Sequence, residues 1–249
     1  PTGGGREPFS NELADLLEAF KPPVISFHFG LPSPALVQRV KSWGAKVISS
    51  ATTVAEARWL ETNGADAIIA QGLEAGGHRG LFLSDDLTTQ IGTLALLPQV
   101  LRAVHMPVIA AGGIADAKGV QAALALGAAG VQVGTSYLLC PETTTTALHR
   151  AALKSDRTQH TALTNLITVR PARGMYNRLM RELGPLSDAP PAFPLATSAL
   201  TPLKAAAEKL GLPAILKTTR LGYDGKGQVK LDDDSQIGAA WAAMNNAPS

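Results

Sequence analysis

Short apolar runs alternating with stretches of helical spacing constrain the fold of this chain more than any other feature of its sequence. Pro23–Phe29, Ala45–Ser50, Asp66–Gln71, Pro107–Gly112 and Gly130–Gly134 are rich in Val and Ile and have the length and bareness of strands buried on both faces. Between them, Pro34–Trp43, Val54–Thr62, Thr93–Val104 and Ala117–Leu126 carry apolar residues at helical spacing, and Thr53 with Glu56 forms a capping box ahead of the second. This alternation predicts βα units and a parallel sheet. Such sheets bind ligands at the carboxyl edge of their strands.

A (β/α)8 barrel needs eight strands in roughly 250 residues, and about five βα units are visible here. The expected fold is therefore α/β, the C-terminal part of a TIM (β/α)8 barrel whose first three strands lie outside this chain. A complete five-stranded open sheet has the same periodicity. Upstream of Pro23 stand the glycine-rich Gly3-Gly4-Gly5 and one amphipathic helix with Leu13, Leu16, Leu17 and Phe20 on one face. From about Thr143 the strand rhythm stops; Ala147–Leu153, Arg178–Leu183 and the Pro-rich Pro185–Pro194 read as helices and connections. After Leu203 a second βα system begins, with a helix to Leu210, a strand Ala214–Lys217, the glycine loop Gly222-Tyr223-Asp224-Gly225-Lys226-Gly227-Gln228, a short strand and a helix from Ser235 to Met244. The expected organisation is a partial barrel over 1–142, a helical cap over 143–203 and a short unrelated α/β fragment over 204–249.

Charge and cysteine usage narrow the function classes. Lys and Arg number 22 against 20 Asp and Glu, a net charge of +2 that leaves no electrostatic footprint for nucleic acid or a membrane surface. Small-molecule substrates are the expectation. The lone Cys140 forms no intrachain disulfide, which fits a reducing compartment such as the cytoplasm. No apolar run approaches the roughly 18 residues of a membrane span, and no His or Cys cluster has zinc spacing.

The chemistry concentrates in Glu74-Ala75-Gly76-Gly77-His78-Arg79-Gly80, which directly follows the run ending at Gln71. Its glycines let main-chain amides approach a ligand closely, and imidazole titrates near neutral pH, which suits a general base. Ala110-Ala111-Gly112-Gly113-Ile114-Ala115-Asp116 and Gln132-Val133-Gly134-Thr135 stand at corresponding places after two other runs. Amides of Gly112, Gly113, Gly134 and Thr135, with the Thr135 hydroxyl, suffice to cradle a phosphate without a basic residue.

Taken together with Val24-Ile25-Ser26-Phe27-His28-Phe29-Gly30, Ala70–Gly80 and Arg170-Pro171-Ala172-Arg173-Gly174 followed by Asn177, these motifs resemble the nitronate monooxygenases, FMN enzymes once called 2-nitropropane dioxygenases. The resemblance covers about Pro23 to Leu203. It implies a barrel with an added helical region, His78 as catalytic base, and FMN contacts at Gln71, Gly76, Gly77, Gly112, Gly113, Gln132, Val133, Gly134 and Thr135. The implied partners are a nitronate or nitroalkane and dioxygen. Because the segments for the first three strands are absent, the isolated chain is expected to hold FMN weakly. The nearest enzymatic alternative is an FMN-dependent enoyl-acyl carrier protein reductase, which shares a glycine-glycine-histidine loop. An inactive chimeric fragment with phosphate binding alone is another. The tail, through Leu210–Lys217 and Gly222–Gln228, resembles the ATP-grasp region of carboxyaminoimidazole ribonucleotide synthetase, which implies a vestigial ATP-type loop of Lys217, Gly222, Gly225, Lys226 and Gly227.

Bland readings stand beside these. His78 has the alternative of a solvated loop histidine oriented by Arg79. His28 is either a substrate-pocket residue or a histidine hydrogen-bonded within the core. Arg170 and Arg173 either touch ligand or stitch the cap to the barrel. His105, His149 and His160 read as surface residues, Cys140 as buried and inert, and Asp232-Asp233-Asp234 as a solvated helix start.

Overall fold

Strand order decides between the two sheets that periodicity leaves open. The structure, a computed structural model, describes residues 8–188, 214–217 and 228–231. The chain divides into two compact units, Pro1–Ala196 and Thr197–Ser249. In the first, helices and strands run α1 (Asn11–Glu18), β1 (Val24–Phe27), α2 (Pro34–Ser42), β2 (Lys46–Ala51), α3 (Val54–Thr62), β3 (Ala67–Gln71), β4 (Gly77–His78), α4 (Thr93–Ala103), β5 (Val108–Ala111), α5 (Ala117–Ala125) and β6 (Gly130–Gln132). The main sheet has the order β1-β2-β3-β5-β6, with every neighbouring pair parallel. A doubly wound open sheet reverses direction at a switch point. This one never reverses, so the five strands form part of a (β/α) barrel rather than a complete open sheet.

Register matters more for the site than length does. Gln71 on β3 stands beside Ala111 on β5, and Ala111 stands beside Gln132 on β6. The three strands therefore end at one height, and their exit loops open at the same edge, within about 10 Å of one another at the usual strand spacing.

The main core packs α3 and α4 on β3 and β5, with Leu60, Ile68, Leu96, Leu97, Val100 and Val108 buried. Each such side chain contributes roughly 1.5–3 kcal/mol of hydrophobic stabilisation. A second cluster holds Ile25, Val37, Val40 and Val47 between α2 and the first two strands. Burial on both faces, expected for every run, fails for the outer two. β1 has one buried residue in four and β6 has none, because each is paired on one side only among the described residues.

The capping box forms by halves. Thr53 Oγ1 accepts from the Glu56 amide at 3.2 Å, but the Glu56 carboxylate turns inward. There it takes the Thr52 amide at 2.6 Å and hydroxyl at 2.7 Å, and the Phe82 amide at 2.7 Å. A cap residue thus ties β2 to the loop after His78.

Beyond the main sheet, α6 (Ala147–Leu153) and α7 (Arg178–Leu183) lie where helical spacing placed them, but β7 (Thr161–Thr164) and β8 (Ala172–Met175) sit between them. They pair antiparallel, and β8 also pairs with β4, joining Ala172 to His78 and Arg173 to Gly77. Strands of four polar or half-buried residues carry no apolar alternation by which to read them.

In the second unit, β9 (Ala214–Lys217) and β10 (Gln228–Leu231) pair antiparallel, where the sequence predicts two strands. The loop residues Gly222, Gly225, Lys226 and Gly227, Asp232–Asp234 and the flanking helices expected there lie outside the described residues.

Candidate functional site

The loop leaving β3 is held from inside the protein. The Gln71 side chain donates from Nε2 to the His78 carbonyl at 3.0 Å and accepts at Oε1 from the Gly80 amide at 2.8 Å. Arg79 points inward and is fully buried. It donates to the Gly72 and Gln71 carbonyls at 2.6 and 2.9 Å, and twice to Gln90 Oε1. Burial, together with the neighbouring Arg173 charge, pushes its pKa down to about 10, still well above neutrality. The Arg79 side chain is thus turned inward, away from the solvated-loop reading, and fixes the main chain at Gln71 and Gly72 and the Gln90 side chain.

What meets the His78 imidazole is Thr168, with Oγ1 at 2.7 Å from Nε2. The edge of Phe29 also faces it, ring centroids 5.8 Å apart. The Arg170 guanidinium lies 4.3 Å over the Phe29 ring, a cation–π contact. Phe29 and Val169 both have left-handed backbone, φ of 67° and 68°, a conformation rarely taken by bulky or β-branched residues. Two strained positions thus flank the His78 imidazole, a pattern common at functional sites.

His28 comes to the same corner. Its Nδ1 lies 3.1 Å from Ser50 Oγ, and its ring packs so closely on Gly80 that a Cβ there would sit 2.8 Å from Cε1. Partial burial lowers its pKa, countered by a hydrogen bond to the His78 main chain and reinforced by the charges of His78, Arg79 and Arg170. One side of the residue stays exposed. His28 is thus packed on one side and open on the other.

Three glycine loops converge next to this corner. A Cβ on Gly76 would lie 3.1 Å from Thr135 Oγ1. A Cβ on Gly112 would lie 2.8 Å from Thr93 Oγ1 and 3.0 Å from the Ala75 nitrogen, and one on Gly113 3.2 Å from Glu74 Cβ. Both glycines have positive φ, so close approach and conformation each require glycine here. Glu74 completes the joint by accepting from the Thr93 amide and hydroxyl at 2.8 and 2.9 Å. In contrast, Gly77 and Gly134 have open space where a Cβ would project. The cradle is tight where loops meet and bare where main chain faces outward.

Gln132, Gly134 and Thr135 are exposed and Val133 half-buried. Arg173 stitches β8 to the β3 exit, donating to the Leu73 carbonyl at 3.0 Å and Thr161 Oγ1 at 3.1 Å. His105, His149 and His160 are surface residues, while Cys140 is half-buried rather than buried. Lys217 falls in β9. A cleft of about 510 Å³ between the start of α3 and residues 83–91 contains none of the expected site residues. Among the described residues no cluster of His, Cys, Asp and Glu has a metal-holding arrangement, and no helix is long and apolar enough to cross a membrane. The sequence reading missed Thr168 and the strained Val169. Neither has a local signature, since a β-branched residue with positive φ is the opposite of what a turn pattern announces.

Over residues 5–213 the chain matches the family described as nitronate monooxygenase, and over residues 188–248 the ATP-grasp domain. It is 43% identical over 196 residues to the nitronate monooxygenase of Pseudomonas aeruginosa, covering 78% of this chain and 56% of that protein. To the nitronate monooxygenase of Paraburkholderia phytofirmans it is 44% identical over 201 residues, covering 80% and 54%. Nitroalkane oxidase from Streptomyces ansochromogenes superposes with a TM-score of 0.74 at 43% identity, over 80% of this chain and 57% of that one. FabK from Thermotoga maritima gives 0.60 at 31% identity, over 82% and 58%. The chain spans about half the length of the curated relatives it matches.

Proposed function

We propose, from the premise that this chain belongs to the nitronate monooxygenase family, that it carries the FMN-binding edge and the catalytic base of an enzyme that oxidises nitroalkanes or alkyl nitronates with dioxygen. One observation carries this reading: Gly76, two residues before His78, meets Thr135 across the sheet edge, so the base and the glycine cradle share one loop. The phosphate of FMN would rest on main chain at Gly112, Gly113, Gly134 and Thr135, with the Thr135 hydroxyl as a further donor. Barrel enzymes often place phosphate on the loops after their last two strands, and β5 and β6 are the last two strands of the main sheet among the described residues. Gln71 serves by clamping the loop; Gly76, Gly77, Gln132 and Val133 line its approach. When bound, FMN supplies the electron acceptor that passes electrons on to dioxygen. His78 takes the α-proton of a neutral nitroalkane, and His28 and Phe29 wall the substrate side.

The same reading divides the chain into an FMN-binding partial barrel, 1–142, a cap, 143–203, and a vestigial ATP-grasp fragment, 204–249, working in the cytoplasm. Replacing His78→Asn should lower turnover of neutral nitroalkane by about 100-fold or more while FMN content is kept. Flavin and activity lost in equal proportion would make His78 structural. Flavin reduction by NADH alone, with none by nitroalkane, would instead favour the reductase alternative.

A further inference from the structure

The hydrogen bonds around Thr168 specify which nitrogen of His78 works. Thr168 Oγ1 has two partners on the same side of the chain, His78 Nε2 at 2.7 Å and the Arg170 carbonyl at 3.1 Å. A hydroxyl owns one proton, and a carbonyl only accepts. If that proton pointed to Nε2, two acceptor oxygens would face each other at 3.1 Å with no hydrogen between them. The arrangement that satisfies all three atoms sends the hydroxyl proton to the Arg170 carbonyl and leaves an Oγ1 lone pair for an Nε2–H donor. From this we infer that Thr168 is a positioning residue that holds His78 in its Nε2–H tautomer, so that a substrate proton is accepted on Nδ1. The tautomer inference stands on the hydrogen bonds; its catalytic meaning rests on the proposed role of His78 as base.

The fold invests in this contact. Val169 holds φ at 68° and its amide bonds the Asn165 carbonyl at 2.8 Å. That left-handed residue brings the Thr168 hydroxyl and Arg170 carbonyl together. Immediately downstream the Arg79 amide donates to the Pro171 carbonyl at 2.8 Å, and Ala172 pairs with His78. Thr168 and His78 are thus tied through the main chain as well as through their side chains.

The test is long-range nitrogen–proton correlation NMR on the full ¹⁵N-labelled chain, with the His78 signals assigned by their loss in His78→Asn. At alkaline pH, where the ring is neutral, His78 should show Nε2 protonated and Nδ1 unprotonated. Thr168→Ser should keep that pattern, and Thr168→Val should give a tautomer mixture. An Nδ1–H tautomer in the unaltered chain, or an unchanged pattern in Thr168→Val, overturns the inference, and the first needs no variant. In the flavin-loaded protein, Thr168→Val should lower kcat for neutral nitroalkane about tenfold with little change in KM, and Thr168→Ser should restore it. Activity indifferent to His78→Asn, beside an intact Nε2–H signal, would sink the base assignment and leave the tautomer standing.

Discussion

At the scale of single residues, the site is built from polar groups held by main chain. Gln71, Arg79, Glu56 and Glu74 have the makings of catalytic or ligand groups in the sequence, yet the structure uses each to fasten a loop. Residue type announces the chemistry a side chain is capable of; the hydrogen bonds it finds decide whether it is spent on structure. His28 shows the consequence for pH. Its pKa lies below the ordinary 6.5 chiefly through burial, so between the folded value and 6.5 the unfolded chain binds more protons than the folded one. Its contribution to stability is complete above about 6.5 and is lost as pH falls through the folded value. Thermal melts between pH 7.5 and 5 should therefore show a loss of stability on acidification that His28→Gln reduces, and equal slopes in the two proteins would contradict the assignment. Because one side of His28 is open to water, the effect is small.

At the scale of elements, the five βα units were legible because buried parallel strands and amphipathic helices leave two different apolar periods in a sequence. Their ends fall within two residues of the expected positions, as Val54–Thr62 and Thr93–Ala103 illustrate. The glycine loops were legible for a related reason, since glycine at a strand exit marks a place where main chain must turn left-handed or approach closely. The β4-β8-β7 sheet was not legible. It is held by a backbone ladder and by Arg173, and its strand β4 pairs with β8 far along the chain, His78 with Ala172. Arg173→Ala removes a charged donor from the Leu73 carbonyl, a bond of roughly 1.5–3 kcal/mol. Amide exchange across residues 161–175 should accelerate about tenfold or more while β2, β3 and β5 keep their protection. Uniform acceleration through the main sheet would mean that the hairpin is not a separable element.

At the scale of the whole molecule, the cradle and the sheet impose different limits on a flavin. In the proposed reading the phosphate would rest on the three loops leaving β3, β5 and β6 at one height, all of them within the described residues. Among the described residues the main sheet ends at β1, where Val24 is 49% exposed and Phe20 on the adjoining segment 76%. Beyond β6, Tyr137 is 62% exposed. A flavin ring bound beside such open flanks would lose part of the desolvation that makes enclosed ligand sites tight. Most of the affinity of this chain for FMN should then come from phosphate. Fluorescence titration should find weak FMN binding, competition by inorganic phosphate and markedly poorer binding of riboflavin. Riboflavin binding as well as FMN would shift the weight to the ring pocket formed by His78, His28 and Phe29. A yellow, monomeric preparation stoichiometric in flavin would show that the open flanks cost the site nothing.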